Sequence, residues 1–224
     1  GRKMISILIA DDFDLLREDL KELINDQPDM RVVGEAASGA AIVELARSVK
    51  SDIILMDIEM ENMSAGVTAA EAIRDADPGR MILYLTAHDT EKMILTAMGT
   101  GAVDYIVKGC PDEEVLAHIR AAAAGRPLLD AKVQNTVMQE YNRLRRSERS
   151  LLFFINNVSQ LTAAERELVH LLLQGKKVKE IAAARCVEVV TVKTQIKGLL
   201  HKFGCSRTKE IVEMIQQLGI THLF

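Results

Sequence analysis

In the first half of the chain, polar residues stand where short apolar runs end. Asp11 and Asp12 follow Ile5 to Ala10, Asp57 follows Ile53 to Met56, Thr86 follows Met81 to Leu85, and Lys108 follows Val103 to Val107. Carboxylates held together repel one another unless a hard cation sits among them, and Mg²⁺ suits carboxylates, a backbone carbonyl and water. In such a site one carboxylate attacks phosphorus in line, while Mg²⁺ and an ammonium share the charge on the equatorial oxygens. On this reading Asp57 is the nucleophile and Lys108 the ammonium. A new dianion on Asp57 draws in the Thr86 hydroxyl, and the space it vacates lets the ring of Tyr105 turn inward. Singly, each residue has a plainer explanation, since Asp after a strand often caps the next helix. Their joint order and spacing carry the chemical reading.

For those residues to meet, the apolar runs must be strands of one sheet. Five runs, Ile5 to Ala10, Val32 to Ala36, Ile53 to Met56, Met81 to Leu85 and Val103 to Val107, alternate with segments of helical period such as Leu15, Leu16, Leu20, Leu23 and Ile24. Strands apolar on both faces indicate a parallel sheet covered by helices on each side. The expected fold is a five-stranded, doubly wound, flavodoxin-like α/β domain over residues 4–124, whose strand C-terminal ends line one crevice. Gly125, Arg126 and Pro127 end its last helix. A helical linker is expected over 125–158, with Val133, Val137, Tyr141 and Leu144 at helical spacing. That stripe either packs on its own domain or pairs with a second subunit. Leu151 to Val158 either extends the linker helix or opens the next domain. From Leu161 the chain reads as four short helices separated at Gly175, around Cys186 to Glu188, and at Gly204 to Ser206, giving a small all-α domain over 159–224.

The formal net charge of -4 conceals two halves of opposite sign. Residues 1–124 hold 12 Lys and Arg against 23 Asp and Glu, whereas residues 125–224 hold 16 against 9. Different partners follow for an acidic and a basic half. The cysteines, Cys110, Cys186 and Cys205, are odd in number and lack metal-ligand spacing, which fits a reducing cytoplasm. No apolar run approaches the roughly 18 residues of a membrane span, so no membrane partner is expected. Met4 reads as the native start and Gly1 to Lys3 as an added remnant.

Positive charge in the second half gathers at Arg143 to Arg149 and at Lys176 to Lys202. The second cluster includes a helix expected over Lys177 to Ala184, a short turn, and a helix holding Thr191, Lys193, Thr194, Lys197 and Gly198. That is helix-turn-helix order. At 3.6 residues per turn, Lys193 and Lys197 share a face beside Thr194, while Val192, Ile196, Leu199 and Leu200 turn toward the core. Such a face suits a major groove, where Lys addresses guanine edges or phosphates and Thr touches a thymine methyl.

With ILIADD, ILMDIEM, YLTA and DYIVKG in order, residues 4–124 resemble a response-regulator receiver domain. Residues 161–224, with LTAAERELVHLLLQG, KEIAA, TVKTQIKGLLHKFG and SRTKEIVEM, resemble the LuxR/NarL-type DNA-binding domain. The resemblance implies a bacterial two-component transcriptional regulator that accepts phosphate on Asp57 from a sensor histidine kinase. It implies Mg²⁺ held by Asp12, Asp57 and the Glu59 carbonyl with Asp11 in support, and Thr86 and Tyr105 as the relay. Lys193, Thr194 and Lys197 become base readers, Thr191, Lys179 and Lys202 phosphate contacts, and promoter DNA the ligand of a homodimer formed on phosphorylation.

Several positions depart from the family pattern. Glu61 stands where Pro is usual and Gly66 comes one residue late. Ala164 replaces Arg, Arg185 an apolar residue, Glu188 Ser, and Gln195 His. Arg185 must snorkel outward or find a carboxylate. Glu59 and His88 are expected to flank the phosphoryl group and set how fast water removes it. Two rivals remain at this point: a haloacid-dehalogenase-like phosphohydrolase using Asp12, which leaves Asp57 unemployed, and a dimer whose receiver is no longer phosphorylated.

Overall fold

The computed structural model describes residues 3–224, so Gly1 and Arg2 of the expected remnant lie outside the described residues. The chain divides into two compact units, Gly1–Glu140 and Tyr141–Phe224.

The first unit holds strands β1 (Ile5–Ala10), β2 (Met30–Ala36), β3 (Ile53–Met56), β4 (Ile82–Thr86) and β5 (Asp104–Val107), in the parallel order β2-β1-β3-β4-β5. Between and after them run α1 (Asp14–Asn25), α2 (Gly39–Ser48), α3 (Ala65–Ala76), α4 (Glu91–Met98) and α5 (Asp112–Ala123). Side chains alternate across the sheet. Leu8, Ala10, Ile54, Met56, Ile82 and Tyr84 join one core, with Ile42 of α2, Ile73 of α3 and Ile94 of α4. Ile7, Ile9, Ile53, Leu55 and Leu83 join the other, with Ile24 of α1 and Ile119 of α5. Four strand boundaries differ from the sequence reading, β4 and β5 each beginning one residue later, at Ile82 and Asp104. β2 begins at Met30, because the ladder starts with Ile5 opposite Met30, which is buried. Thr86 is the last residue of β4, paired with Val107, rather than the first residue beyond it.

Beyond α5, helix α6 runs from Ala131 to Phe153 and continues as a π-turn over Phe154–Val158. Val133 near its start belongs to a core of the first unit, whereas Phe153, Phe154 and Val158 pack in the core of the second. Leu151 to Val158 thus both extends the linker helix and opens the next core. The second unit then holds α7 (Ala163–Leu173), α8 (Val178–Arg185), α9 (Val189–Phe203) and α10 (Thr208–Leu218), with no strand among the described residues. Thr162 and Glu165 close a reciprocal cap at the start of α7, and Gly204 and Gly219 end α9 and α10 in the left-handed region. Leu168, Ile181, Val192, Leu199, Phe203, Ile211 and Ile215 form its core.

One buried polar pair ties β5 to α5. His118 Nδ1 lies 2.5 Å from Asp104 Oδ2, and both residues are buried. Asp104 also accepts the Tyr105 N–H at 2.7 Å, and His118 Nε2 reaches Asp130 Oδ1 at 3.4 Å, just ahead of α6. The bond to Asp104 raises the imidazole pKa above its ordinary value, with burial opposing it. A raised histidine pKa contributes stability that is complete below the ordinary value of 6.5 and is lost as pH rises through the folded value. His118→Gln is therefore expected to destabilise the first unit by about 1 kcal/mol more near pH 6 than near pH 9. Urea denaturation at the two pH values checks this, and an equal loss at both contradicts it.

Candidate functional site

The ends of β1, β3, β4 and β5 bring the predicted chemical residues into one cleft of about 220 Å³, bordered by Asp12, Asp57, Glu59, Thr86, His88 and Lys108. Asp11, Asp12 and Asp57 each offer an oxygen within 4.8 Å of the others. Asp11 and Asp57 are buried and Asp12 is exposed. Lys108 Nζ donates to Asp11 Oδ2 at 2.8 Å and to Asp57 Oδ2 at 2.7 Å. The remaining oxygens are also held: Asp11 Oδ1 accepts the Phe13 N–H at 2.9 Å and Asp57 Oδ1 the Ile58 N–H at 2.7 Å. Burial pushes the Asp57 carboxyl pKa up, against the bond and charge of Lys108. Burial works the other way on Lys108, but its bonds to the two carboxylates prevail and its pKa is raised. One ammonium faces three carboxyl groups, so the site favours a further cation, and its oxygen-only donor set suits Mg²⁺.

Thr86 is fully buried, and its hydroxyl accepts the His88 N–H at 3.4 Å. Tyr105 occupies the inward position that the sequence reading assigned to the switched state. Its ring is already inward and fully buried, its centroid 6.1 Å from that of Tyr84, and its hydroxyl donates to the His88 carbonyl at 2.7 Å. The core and the His88 carbonyl accommodate the ring there. Burial, with Asp89 and Asp57 nearby, pushes the phenol pKa up to about 12. The expected flanking residues meet each other, His88 Nε2 lying 3.0 Å from Glu59 Oε2.

The two departures after Asp57 have structural partners. The Glu61 carboxylate accepts the Gly39 N–H with both oxygens at 2.8 Å, capping the start of α2 with an acceptor that Pro lacks. Gly66 donates its N–H to the Ile58 carbonyl at 2.8 Å, and a Cβ there would lie 1.9 Å from the Asp57 carbonyl oxygen. The late glycine lets α3 approach the backbone of Asp57. Neither contact was visible in the sequence, although a glycine and a carboxylate displacing the usual residues in one loop were the signal.

In the second unit α8 and α9 are joined by a turn whose Cys186 is left-handed, φ 55°, with the Val187 N–H on the Ala182 carbonyl at 3.0 Å. Thr191, Lys193, Thr194 and Lys197 are exposed on α9, while Val192 and Leu199 are buried and Ile196 and Leu200 half-buried, as the spacing predicts. Two details modify the groove-facing set. The Thr194 hydroxyl donates to the Val190 carbonyl at 3.0 Å, leaving its methyl as the outward group. Lys202 donates to Glu165 at 2.7 Å, so a phosphate contact there must compete with an existing ion pair. Lys179 is exposed on α8. Arg185 finds its partners in another departure and a carboxylate: it donates to Gln195 Oε1 at 2.6 Å and lies 3.7 Å from Glu167, with its side chain 9% exposed. The turn retains a helix-turn-helix form because the guanidinium is satisfied internally.

Comparison with known proteins agrees with this architecture. Residues 7–120 match the model of the response regulator receiver domain, and residues 159–215 that of the bacterial regulatory proteins of the luxR family. The chain belongs to the response regulators that join a receiver to a LuxR-type DNA-binding domain, a family of transcriptional regulators. It is 34% identical to the uncharacterized transcriptional regulatory protein YxjL of Bacillus subtilis, over 96% of this chain and 97% of that one. It is 35% identical to the transcriptional regulatory protein LiaR of the same organism, over 93% and 96%. The oxygen regulatory protein NreC of Staphylococcus aureus is 32% identical over 93% of this chain and 95% of its own length. Among solved structures, a LuxR-family response regulator from Aurantimonas aligns with 62% of this chain and 99% of its own, at 29% identity and a TM-score of 0.57. The signal receiver domain of the response regulator NarL from Mycobacterium tuberculosis aligns with 55% and 99%, at 29% identity and a TM-score of 0.52. This membership excludes the phosphohydrolase alternative. No helix among the described residues is long and apolar enough to cross a membrane.

Substitutions at Gly66, Gln195 and Arg185 test these contacts. Gly66→Ala is expected to destabilise the first unit by about 2 kcal/mol or more, because backbone and not a flexible side chain must give way. Urea denaturation reads this, and a loss below about 0.5 kcal/mol contradicts the close approach. Gln195→Ala removes a partner from a nearly buried guanidinium and is expected to cost about 1–3 kcal/mol, whereas Arg185→Leu combined with Gln195→Ala restores much of it. Thermal unfolding of the second unit distinguishes these outcomes.

Proposed function

We propose that the chain is a phosphorylation-controlled DNA-binding switch, with a receiver at 4–124, a helical linker at 125–158 and a DNA-binding domain at 159–224. One observation carries the reading: an Asp57 carboxylate held between a backbone N–H and the Lys108 ammonium, at the edge of an open cleft. Oxygens of Asp11, Asp12 and Asp57 and the Glu59 carbonyl would hold Mg²⁺, which supplies positive charge to the phosphoryl oxygens. Asp57 forms the new bond to phosphorus as the bond to the imidazole nitrogen of a sensor histidine kinase breaks. Lys108, already between two carboxylates, turns toward the added oxygens, and Thr86 offers its hydroxyl to the phosphoryl group. Because Tyr105 is already inward, its role is to hold the His88 carbonyl and with it the segment after β4. The Glu59–His88 pair governs water's access to the aspartyl phosphate.

Lys193, Lys197 and the Thr194 methyl read promoter bases, and Thr191, Lys179 and Lys202 meet phosphates. Phosphorylation favours a homodimer whose DNA-binding domains occupy paired half-sites. The bacterial cytoplasm, where promoter DNA is found, is the setting this requires, and the cysteines are free.

Incubation with Mg²⁺ and a small acyl phosphate, followed by intact-mass measurement, is expected to show one phosphoryl adduct on the wild-type chain and none on Asp57→Asn. Chelation of Mg²⁺, or Asp12→Asn, is expected to slow adduct formation at least about tenfold. No adduct on the wild type contradicts the acceptor role. In parallel, Lys193→Ala with Lys197→Ala is expected to weaken binding to a duplex selected by the wild type at least about tenfold and to narrow its preference for that duplex over unrelated ones. Unchanged affinity contradicts the assigned face.

A further inference from the structure

Along α6, Val137, Tyr141, Leu144, Glu148 and Leu151 recur at alternating intervals of four and three residues. That alternation is the a/d spacing of a coiled-coil seam. Tyr141, Leu144 and Leu151 are 55%, 54% and 59% exposed, an unusual position for large apolar groups repeated on one stripe. Within the second unit another face of the helix does the packing. Ser150 donates to the Leu218 carbonyl at 2.7 Å, and Phe153 and Phe154 enter the core. The exposed stripe is therefore not needed to seat the helix on that unit.

We propose that this stripe pairs with α6 of a second copy in a parallel, in-register two-stranded coil. A 4-3 stripe is complementary to itself, since each seam residue fits between those of an identical helix. The flanking charges favour the parallel arrangement. With Tyr141 and Glu148 at a and Leu144 and Leu151 at d, Glu140 takes a g position and Arg145 the following e position. In a parallel coil those positions face each other across the pair, so each Glu140 meets the partner's Arg145. Glu148 limits the strength of the pair. Its carboxylate lies in the seam, held by Arg145 of its own helix at 3.1 Å, and two copies bring two such carboxylates together. A seam under three heptads long with a charge at its centre is marginal alone. It becomes effective when a second contact raises the local concentration of the two helices. This extends the proposed phosphorylation-dependent dimer by naming the surface that joins its copies.

Sedimentation of the full chain with Mg²⁺, with and without acyl phosphate and with intact mass read in parallel, tests the seam. Leu144→Asp with Leu151→Asp is expected to weaken dimerisation at least tenfold and Glu148→Leu to strengthen it at least tenfold, with the same phosphoryl adduct in all three chains. With Cys110, Cys186 and Cys205 replaced by Ser, Leu144→Cys is expected to oxidise to a linked dimer, whereas Val190→Cys, also exposed, is not. The seam is overturned if the aspartate pair leaves dimerisation unchanged, if Glu148→Leu fails to strengthen it, or if Leu144→Cys links no better than Val190→Cys. A wild-type chain without an adduct strikes instead at the phosphoacceptor reading. In that case the Glu148→Leu and Leu144→Cys comparisons, made without phosphate, still decide the seam.

Discussion

The receiver depends on one electrostatic constraint: three carboxyl groups at the ends of two strands, with a single ammonium bridging two of them. Lys108 reaches both Asp11 and Asp57, so β1, β3 and β5 are tied at the edge that forms the acidic cleft. The same bridge leaves negative charge in excess, which makes the cleft receptive to a divalent cation. Ligand and phosphoryl group can redistribute these contacts without moving the sheet, whose strands are buried on both faces. On the proposed function, a rigid floor beneath a charge-imbalanced cleft directs the effect of a covalent event there into the loops above it.

The sheet was legible because buried parallel strands read as continuous apolar runs, and the polar residues closing them showed where the site lay. Asp11, Asp12, Asp57, Thr86 and Lys108 all reach one edge. What the residues alone did not reveal were contacts made across long separations. Glu61 caps α2 from 22 residues away, and Gly66 is required by the approach of α3 to the Asp57 carbonyl. The His118–Asp104 pair was likewise missed, although an Asp inside an apolar run was a signal that a buried partner had to exist. The inward position of Tyr105 was not legible for a related reason. A hydroxyl acceptor on the His88 backbone has no sequence signature, and it is what lets the ring stay inward.

The output domain shows how departures from a family pattern compensate in pairs. Arg185 at a normally apolar position and Gln195 at a normally imidazole position look unfavourable separately, yet they bond to each other and retain the turn. The helical spacing of α9 was readable because its buried side is strictly apolar, whereas the ion pair between Lys202 and Glu165 depends on tertiary packing. On the proposed function, DNA recognition falls mainly to the Lys193, Thr194 and Lys197 stripe, and Lys202 must first exchange its bond to Glu165.

The central claim is that charge added at Asp57 governs DNA binding by the basic unit. Fluorescence anisotropy with a duplex selected from a random pool by the wild-type chain measures it directly, comparing the unphosphorylated chain with one shown by mass to be fully phosphorylated. The account predicts an affinity at least about tenfold higher after phosphorylation, which corresponds to about 1.4 kcal/mol, and no change in Asp57→Asn given the same treatment. Equal affinities for the two fully characterised states of the wild type would contradict it.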